Sequence, residues 1–510
     1  MKDRSGNEDI LKVNPQSYWI VSTDKTDYPT LKEDMQVDVA IVGGGMAGIT
    51  TAYLLKQEGV RVAIIEADGI LQGTTAHTTA KITSQHGLIY DKIRNKMGKE
   101  KAQIHADANE SAIRMIHGLI EEKKINCDFQ WQPAYVYTQS DEYVQKIYNE
   151  AKTASSLGIP AEYLEDIPLP FDVKAAMRFD NQAQFHPRKY LLALAKDIPG
   201  DGSYIFENTR AVDIEDEDSP TVITEKGHKV RAKKVIVASH YPFYDKPGLY
   251  FASVYPERSY IVAVTIKEQF PKGMYITAED PGRSLRSQRY GDRDLILVAG
   301  EHHKTGHGKS TMFHYNNLRD FAYQTFTVED VLYRWAAHDC VTMDEVPYIG
   351  QLSVTTPNVY VATGFRKWGM TSSTVAAMML KDIVIKGEHS WSELYNPSRF
   401  TPVASTPKFF KENIDVAINF VAGKVIPPEI DEDIKPNEGK VISIDGKRIG
   451  AYRDTKGELH LVDTTCTHLG CELTWNDADT SWDCPCHGSR FTYGGDIVEG
   501  PAVKPLKKYK

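Results

Sequence analysis

The spacing of hydrophobic positions predicts a strand, a turn, a helix and a second strand near the start of the chain. An unbroken apolar run over 39–42 is typical of a buried strand, and a glycine-rich turn follows it. Residues 49–58 have a helical pattern that Gly59 ends, and residues 61–65, which are apolar after Arg61, predict the second strand. Two strands joined by a helix in this way are the unit of an α/β domain.

Further along the chain, helical and alternating patterns follow one another. Residues 99–124 and 142–154 have helical spacing, whereas residues 131–138 alternate like a half-buried strand. Short runs over 203–230 predict a meander, and the apolar run over 234–239 predicts a strand that returns to the first sheet. The mixture favours a Rossmann-like α/β domain interrupted by a second domain that is built on an antiparallel sheet.

The last part of the chain has a third pattern. Residues 397–407 are rich in proline and serine and predict a linker. A helix follows, with an apolar face that we expect to dock onto the preceding domain: Phe410, Ile414, Ala417, Ile418 and Val421. From residue 440, short strands alternate with turns at Asp445-Gly446 and Lys456-Gly457, which are hairpin signals. We therefore expect a small all-β domain there.

Composition narrows the class of protein. The 510 residues, 41% of them hydrophobic, are enough for two to four domains with ordinary cores. A net charge of -9 argues against a nucleic-acid partner. No apolar run reaches the length of a membrane-spanning helix, and the polar start of the chain does not resemble a signal peptide. We expect a cytoplasmic protein, with a peripheral membrane contact left open.

The glycine turn carries the first chemical signal. Gly43, Gly45 and Gly48 fill the glycine places of G-x-G-x-x-G between the predicted strand and helix, and the acidic Glu66 ends the second strand. In this arrangement a pyrophosphate lies at the helix N-terminus, and the acid accepts hydrogen bonds from a ribose. The pattern predicts a dinucleotide site, and the alternative is a glycine-rich turn without a ligand.

The loop Gly73–Lys81 and the His186-Pro187 helix start, taken with this fingerprint, resemble the D-amino-acid oxidase and glycine oxidase superfamily of flavoproteins, especially its sarcosine and dimethylglycine dehydrogenase branch. The resemblance implies FAD, and it implies a covalent bond to the flavin at His77; a simple hydrogen-bond donor is the alternative. It also implies this set of cofactor-binding residues: Gly43, Gly45, Met46, Ala47, Gly48, Glu66, Thr74, His77, Thr363, Gly364, Gly369, Met370 and Thr371.

The resemblance also divides the chain. After a leader over 1–30, the flavoprotein would extend over 31–400. Its FAD-binding segments would be about 31–100, 165–240 and 331–395, and its substrate domain about 101–164 and 241–330. A linker and helix over 401–424 would lead to the all-β domain over 425–510.

The substrate side departs from the amino-acid-oxidising relatives. Where those relatives place an arginine that clamps a carboxylate, this chain has Asp339. Unless Arg258, Arg286 or Arg366 substitutes, a cationic amine fits better than an ordinary amino acid, although Asp339 could instead pair with a nearby arginine. Our catalytic candidates are His77, Tyr260, His338 and Asp339, and our other pocket candidates are His86, Arg258, Arg286 and Trp368.

Two boxes near the end of the chain form the strongest motif. Cys466-Thr-His468-Leu-Gly-Cys471 and Cys484-Pro-Cys486-His487-Gly-Ser489 resemble the two-loop signature of a Rieske 2Fe-2S domain. The resemblance implies that Cys466 and Cys484 bind one iron, that His468 and His487 bind the other, and that Cys471 and Cys486 form a disulfide. The alternative is a four-cysteine zinc site. Ser489 is expected to donate to a cluster sulfur, and Phe491 stands where bc-type proteins have a tyrosine.

These parts predict an FAD-dependent dehydrogenase with an amine-type small-molecule substrate. A flavin accepts two electrons together, whereas the cluster passes them singly to an external acceptor, a protein or a quinone. Two alternatives stay open: reversed electron flow from a redox partner through the cluster to FAD, and a redox sensor or electron-transfer module without turnover.

Overall fold

The computed structural model describes residues 10, 13–216, 219–245, 247–308, 310–399, 413–414, 416–417, 419 and 434–509. Its helices are α1 (Tyr18–Val21), α2 (Met46–Gln57), α3 (Tyr90–Met97), α4 (Lys99–Lys123), α5 (Asp141–Ser156), α6 (Pro187–Ala195), α7 (Tyr250–Ser253), α8 (Met312–Thr325), α9 (Gly369–Lys386) and α10 (Ser392–Tyr395). No helix in this described part is long and apolar enough to span a bilayer.

The strands of the flavoprotein part are β1 (Met35–Val42), β2 (Val62–Ile65), β3 (Lys81–Ile82), β4 (Gln130–Thr138), β5 (Ala161–Leu164), β6 (Ala175–Gln184), β7 (Tyr204–Phe206), β8 (Ala211–Glu215), β9 (Thr221–Thr224), β10 (Lys229–Val237), β11 (Val254–Ile266), β12 (Met274–Thr277), β13 (Arg283–Tyr290), β14 (Arg293–Lys304), β15 (Val328–Thr342), β16 (Tyr348–Gln351) and β17 (Val359–Thr363). The last part of the chain adds β18 (Gly439–Ile444), β19 (Lys447–Arg453), β20 (Leu459–Asp463), β21 (Thr474–Asn476), β22 (Ser481–Asp483), β23 (Arg490–Thr492), β24 (Ile497–Glu499) and β25 (Lys508–Tyr509).

The first sheet is the predicted Rossmann-like layer. Its strand order is β16-β17-β10-β1-β2-β7, and β8 and β9 extend from β10. Strand β1 pairs in parallel with β2 on one side and with β10 on the other. Because β1 and β2 are almost continuously apolar, both faces of the sheet are covered, and helix α2 packs against α9 on one of them. The strand–turn–helix–strand prediction is confirmed.

The second sheet is the predicted substrate domain. Its order is β15-β11-β14-β13-β12-β4-β6-β3, with β5 on β6. We expected the segments that became β6 and β15 in the flavin-binding part, but they belong to this sheet. The reason is pairing: β15 runs antiparallel to β11 along its whole length, and β6 lies between β4 and β5.

The last described part contains two four-stranded antiparallel sheets, β18-β19-β20-β25 and β21-β22-β23-β24. Trp482, Phe491 and the cysteines of both boxes form its core. A small all-β domain was the expectation here, and it is confirmed.

Both ends of the flavoprotein part contain ordered structure where we predicted only a leader and a linker. Helix α1 buries Trp19, whose indole N–H donates to the carbonyl of Thr78 at 2.7 Å. Pro397–Arg399 forms a 3-10 turn, and the rest of the predicted linker lies outside the described residues.

The helix predicted after the linker is described at only a few positions, and Phe410, Ile418 and Val421 lie outside them. Ile414 and Ala417 of the expected apolar face are exposed, so that part of the prediction is wrong. Contact comes from the other side of the helix, because Asn413 donates to the carbonyl of Ala252 at 3.2 Å and Val416 packs on the core of the all-β domain.

Candidate flavin site and iron–sulfur centre

The three glycines of the fingerprint have three different surroundings. Gly43 has φ +110°, and a Cβ there would lie 2.5 Å from the carbonyl oxygen of Ala238. At Gly48 a Cβ would lie 1.9 Å from the carbonyl oxygen of Gly43, so the helix could not approach its strand. Gly45 caps α2 without a side chain, and a Cβ there would lie 3.3 Å from the hydroxyl of Thr75. This cradle accommodates a pyrophosphate.

Glu66 lies beside this cradle. Its Oε2 accepts a hydrogen bond from the N–H of Gly44 at 2.6 Å, and its Oε1 accepts one from the N–H of Asp68 at 3.1 Å. Burial raises the pKa of Glu66, and the two backbone donors oppose that shift. The side chain is therefore held in place at the edge where a ribose would bind.

A cavity of about 830 Å³ extends from this cradle to the second sheet. Nine of the predicted cofactor-binding residues line it: Gly43, Gly45, Met46, Ala47, Glu66, Thr74, His77, Gly369 and Met370. The other four support its walls. Gly48 packs against Gly43, Thr363 donates to the carbonyl of His240, Gly364 lies against Thr342, and Thr371 donates to the carbonyl of Thr83.

The loop that carries His77 is fixed by two tryptophans. Trp335 donates its indole N–H to the carbonyl of His77 at 3.1 Å, and Trp19 does the same to the next residue, Thr78. Nδ1 of His77 lies 2.9 Å from the carbonyl of Gly73, and since a carbonyl only accepts, Nδ1 carries the proton. Nε2 is therefore the ring nitrogen with a lone pair, and the residue lines the cavity.

Two carboxylates face the substrate end of the cavity. The register of β11 and β15 puts Glu257 directly opposite Asp339. Lys367 lies between them, with Nζ 3.2 Å from Glu257, 3.0 Å from Asp339 and 2.9 Å from the hydroxyl of Ser259. Burial alone would lower the pKa of Lys367, but the two carboxylates outweigh it and raise the pKa. The cluster has two negative charges and one positive charge.

The arginines that could have replaced a carboxylate clamp have other partners. Arg258 is buried against Asp479 and Asp483 of the all-β domain. Arg286 donates to the carbonyl of Ala80 at 2.8 Å, and it also bonds other nearby oxygens. Arg366 pairs with Glu345 at 3.1 Å. Asp339 pairs with Lys367 and not with an arginine. The alternative that Asp339 forms an ion pair is therefore right, but its partner differs from the one expected.

Strand alternation separates the remaining candidates. On β11, Glu257, Ser259 and Ile261 line the cavity, and the intervening Tyr260 lies on the other face, where its hydroxyl bonds His303 at 2.9 Å. Tyr260 therefore cannot contact a ligand in the cavity, and its prediction as a catalytic residue is wrong. His338 does line the cavity, as do His86 and Trp368, whose rings stack with centroids 5.0 Å apart.

The two boxes of the all-β domain assemble as the resemblance implied. Cys471 and Cys486 form the disulfide, which removes them from a four-cysteine zinc site. Cys466 and Cys484 are free and buried, and a hydrogen bond between them lowers the pKa of Cys466 and raises the pKa of Cys484. The Nδ1 atoms of His468 and His487 are buried without a hydrogen-bond partner. Two thiols and two unpaired imidazole nitrogens fit a Rieske cluster.

The outer edges of both histidines contact the flavoprotein. Nε2 of His468 donates to Oδ2 of Asp245 at 2.9 Å, and the backbone of Phe251 hydrogen-bonds His487. Ser489 donates to the sulfur of Cys466 and accepts from the N–H of Ala502 at 3.0 Å. Each predicted ligand that these contacts reach is thus held by a neighbouring group, which would orient it and tune a bound metal.

Residues of the all-β domain also line the flavin cavity. Val498, Glu499, Gly500, Ala502 and Val503 form part of its wall. His338 connects the two sites: its Nδ1 lies 3.5 Å from Glu499, and a Cβ on Gly488, the neighbour of His487, would lie 2.5 Å from its Nε2. The cavity and the cluster loops therefore share a boundary.

Sequence reasoning missed several of these residues. Glu257 reaches Asp339 only because β11 and β15 pair in this register, and Lys367 reaches both from the loop before α9. Asp245 and Glu499 reach their partners, His468 and His338, only where the two domains are in contact. Their own sequence contexts carry no motif that would single them out.

Comparisons with known proteins agree with this assignment. The FAD dependent oxidoreductase family model matches residues 38–383, and the Rieske [2Fe-2S] domain model matches residues 428–510. A Bacillus subtilis protein, carried under the name Rieske 2Fe-2S iron-sulfur protein YhfW, is 47% identical over 98% of this chain and 99% of its own.

Two more distant relatives match the flavoprotein part. The gamma-glutamylputrescine oxidoreductase of Escherichia coli is 22% identical over 72% of this chain and 88% of its own. The crystal structure of glycine oxidase from Geobacillus kaustophilus superimposes with a TM-score of 0.58 at 20% identity, over 73% of this chain and 99% of that one. Together with the cradle, the cavity and the paired cysteine–histidine boxes, these matches establish that the chain belongs to the FAD dependent oxidoreductase family and carries a Rieske [2Fe-2S] domain.

Proposed function

We propose that the protein is a dehydrogenase that oxidises the C–N bond of a cationic amine and passes the electrons singly through its Rieske cluster to an external acceptor, a protein or a quinone. FAD takes up an electron pair from a C–H bond, and the cluster accepts one electron at a time. The observation that carries the proposal is the shared boundary, because five residues of the Rieske domain line the flavin cavity: Val498, Glu499, Gly500, Ala502 and Val503.

The charges of the cavity support a cationic substrate. Glu257 and Asp339 outnumber their bridging Lys367, so the cluster keeps one net negative charge. Arg258, Arg286 and Arg366 already have partners of their own, and Arg366 meets its partner Glu345 within the cavity wall. These charges would therefore draw an ammonium group into the cavity and repel a free carboxylate.

The cofactor set of the proposal assigns each residue a role. The fingerprint glycines and Glu66 hold the dinucleotide, and His77 offers Nε2 for a covalent bond to the flavin. His338 packs between the cavity and the cluster loop and would be a positioning residue at that boundary. Cys466, Cys484, His468 and His487 hold the cluster.

An anaerobic experiment tests the proposal. The holoprotein is mixed with secondary and tertiary amines, polyamines, amino acids and hydroxy acids, while flavin bleaching is followed optically and cluster reduction by EPR. We expect a cationic amine to bleach the flavin and a reduced Rieske signal to follow. If dithionite reduces both centres but no organic compound does, the proposal is wrong, and reversed flow or a sensor role replaces it.

A further inference from the structure

A buried lysine lies in the wall of the cavity and has no counter-charge. Lys81 of β3 extends its side chain toward β12 and β13, where Nζ donates to the carbonyl of Tyr275 at 3.2 Å and to the hydroxyl of Ser284 at 2.5 Å. In the part of the chain that the structure describes, no carboxylate lies within ion-pair distance of this nitrogen. A buried ammonium without a carboxylate is costly.

The surroundings of Lys81 favour the neutral amine. Burial lowers its pKa from 10.5 to about 7, and the neighbouring guanidinium of Arg286 adds to that shift. Arg286 is held at this distance by its bond to the carbonyl of Ala80, the residue before Lys81. Gln184 of β6, which pairs with Lys81 of β3, carries no charge.

Counting donors shows where the lone pair lies. A neutral amine has two N–H groups and one lone pair. The carbonyl of Tyr275 accepts one N–H group, and the hydroxyl of Ser284, which can also donate, accepts the other in the arrangement that the structure gives. The lone pair is then left for a third direction, and Lys81 lines the cavity together with Ser284 and Ile276. This is the arrangement of a base that is ready to accept a proton from a bound molecule.

We propose that Lys81 is the base that takes the proton from the substrate ammonium before the C–H bond breaks. The lone pair of Lys81 forms a new N–H bond, the substrate N–H bond breaks, and its electron pair stays on the substrate nitrogen. The neutral amine can then release a hydride to FAD and become an iminium, and Lys81 returns its proton to water. This inference rests on the proposed amine oxidation, since a carbon acid or a hydroxy acid would not need this step.

Two variants test the role of Lys81 in catalysis. Lys81→Met has no base, and Lys81→Arg keeps the positive charge but stays protonated. With an amine that reduces the wild type, we expect both to slow flavin reduction at pH 7 by about 100-fold or more. The rate of Lys81→Met should recover as the pH approaches the pKa of the substrate amine, because solution then supplies the neutral form. The control is Lys267→Met, an exposed position directly after β11, which should behave as wild type.

A second measurement does not depend on turnover. Between pH 7 and 10.5 the unfolded chain binds a proton at Lys81 that the folded protein does not, so the stability of the wild type rises with pH over this range. Lys81→Met removes that one-proton slope. We expect the variant to melt at a higher temperature than the wild type at pH 7.5, and this advantage should shrink toward pH 10.

The outcomes separate the two proposals. If no amine reduces the wild type, the proposed function fails and the base role fails with it. If an amine reduces the wild type and Lys81→Met equally fast at pH 7, only the base role is overturned. A variant that melts below the wild type at pH 7.5, without the difference in slope, would show that Lys81 is a charged structural residue and would also overturn the inference.

Discussion

His468 and Asp245 are joined across the boundary between the Rieske domain and the flavoprotein, with Nε2 of the imidazole 2.9 Å from Oδ2 of the carboxylate. Both side chains are almost completely buried. His468, which we predict to bind iron, is therefore held by a charge that the flavoprotein supplies. The contact makes the flavoprotein part of the environment that sets the potential of the cluster.

Replacing this carboxylate should change the midpoint potential. The negative charge of Asp245 favours the oxidised cluster, so Asp245→Asn should raise the potential. A tenfold change in the ratio of oxidised to reduced cluster corresponds to about 59 mV, and we expect a rise of that order. An EPR-monitored redox titration measures it. Asp496→Asn, at an exposed position of the Rieske domain, should leave the potential unchanged.

The hydrogen bonds to cluster sulfur give a second prediction. Ser489 donates to the sulfur of Cys466, and the buried ring of Phe491 has no hydroxyl to add another donor. Ser489→Ala should lower the midpoint potential and Phe491→Tyr should raise it, because a donor to sulfur stabilises the reduced cluster. Protein-film voltammetry would decide, and an unchanged or lower value for Phe491→Tyr would contradict this reasoning.

The buried ion pairs between the domains should be costly to break. Arg258→Met would leave Asp479 and Asp483 without one of their two buried guanidiniums, the other being Arg490. We expect a loss of about 3–5 kcal/mol in the free energy of unfolding. Denaturant unfolding would measure it, with Arg293→Met, half-exposed beside Glu329, as the matched control. Loss of substrate binding with unchanged stability would instead identify Arg258 as a substrate clamp.

The packing between Gly488 and His338 should control electron transfer between the two centres. Gly488→Ala would place a methyl group 2.5 Å from Nε2 of His338, on a backbone with φ +79°. We expect the cluster to be reduced more slowly while flavin bleaching by substrate keeps its rate, as stopped-flow spectroscopy would show. A second change, His338→Ala, removes this contact and should restore part of the rate, although the methyl group would still lie 2.6 Å from the Cβ of Pro256. If the rate is not restored, the effect comes from the Pro256 contact or from backbone strain.

Covalent attachment of the flavin is directly measurable. Because Nδ1 of His77 donates to Gly73, Nε2 is the nitrogen available for a bond. We expect acid-precipitated wild-type protein to retain its yellow flavin, and His77→Ala to release it into the supernatant. Free flavin from the wild type would show that His77 only lines the cavity.

Local motifs could be predicted from sequence because their chemistry is local. Gly43 and Gly48 are required by contacts within one strand–helix unit, and the iron ligands lie in two short loops. Asp339 was found for the same reason, as a departure at a known place in a motif. These residues needed no knowledge of which strands pair.

The remaining site residues depend on contacts between distant segments. Glu257 meets Asp339 only because β11 pairs with β15 in one register, and a shift by one residue would have put Tyr260 toward the cavity instead. Tyr260 was predicted from its residue type, without knowledge of which face of the strand covers the flavin. Asp245 and Lys81 could not be predicted for the same reason, since their partners come from other strands or from another domain.

The buried ionic contacts of Arg258 hold the Rieske domain against the flavin cavity, and this has a consequence for how fast the protein can work. A cluster that travels between two docking positions must diffuse through solvent, so its rate falls as the solvent thickens. A cluster that is held in place passes electrons over one fixed gap. The step from flavin to cluster should therefore keep its speed in glycerol or sucrose, and any dependence on viscosity would belong to the encounter with the outside acceptor.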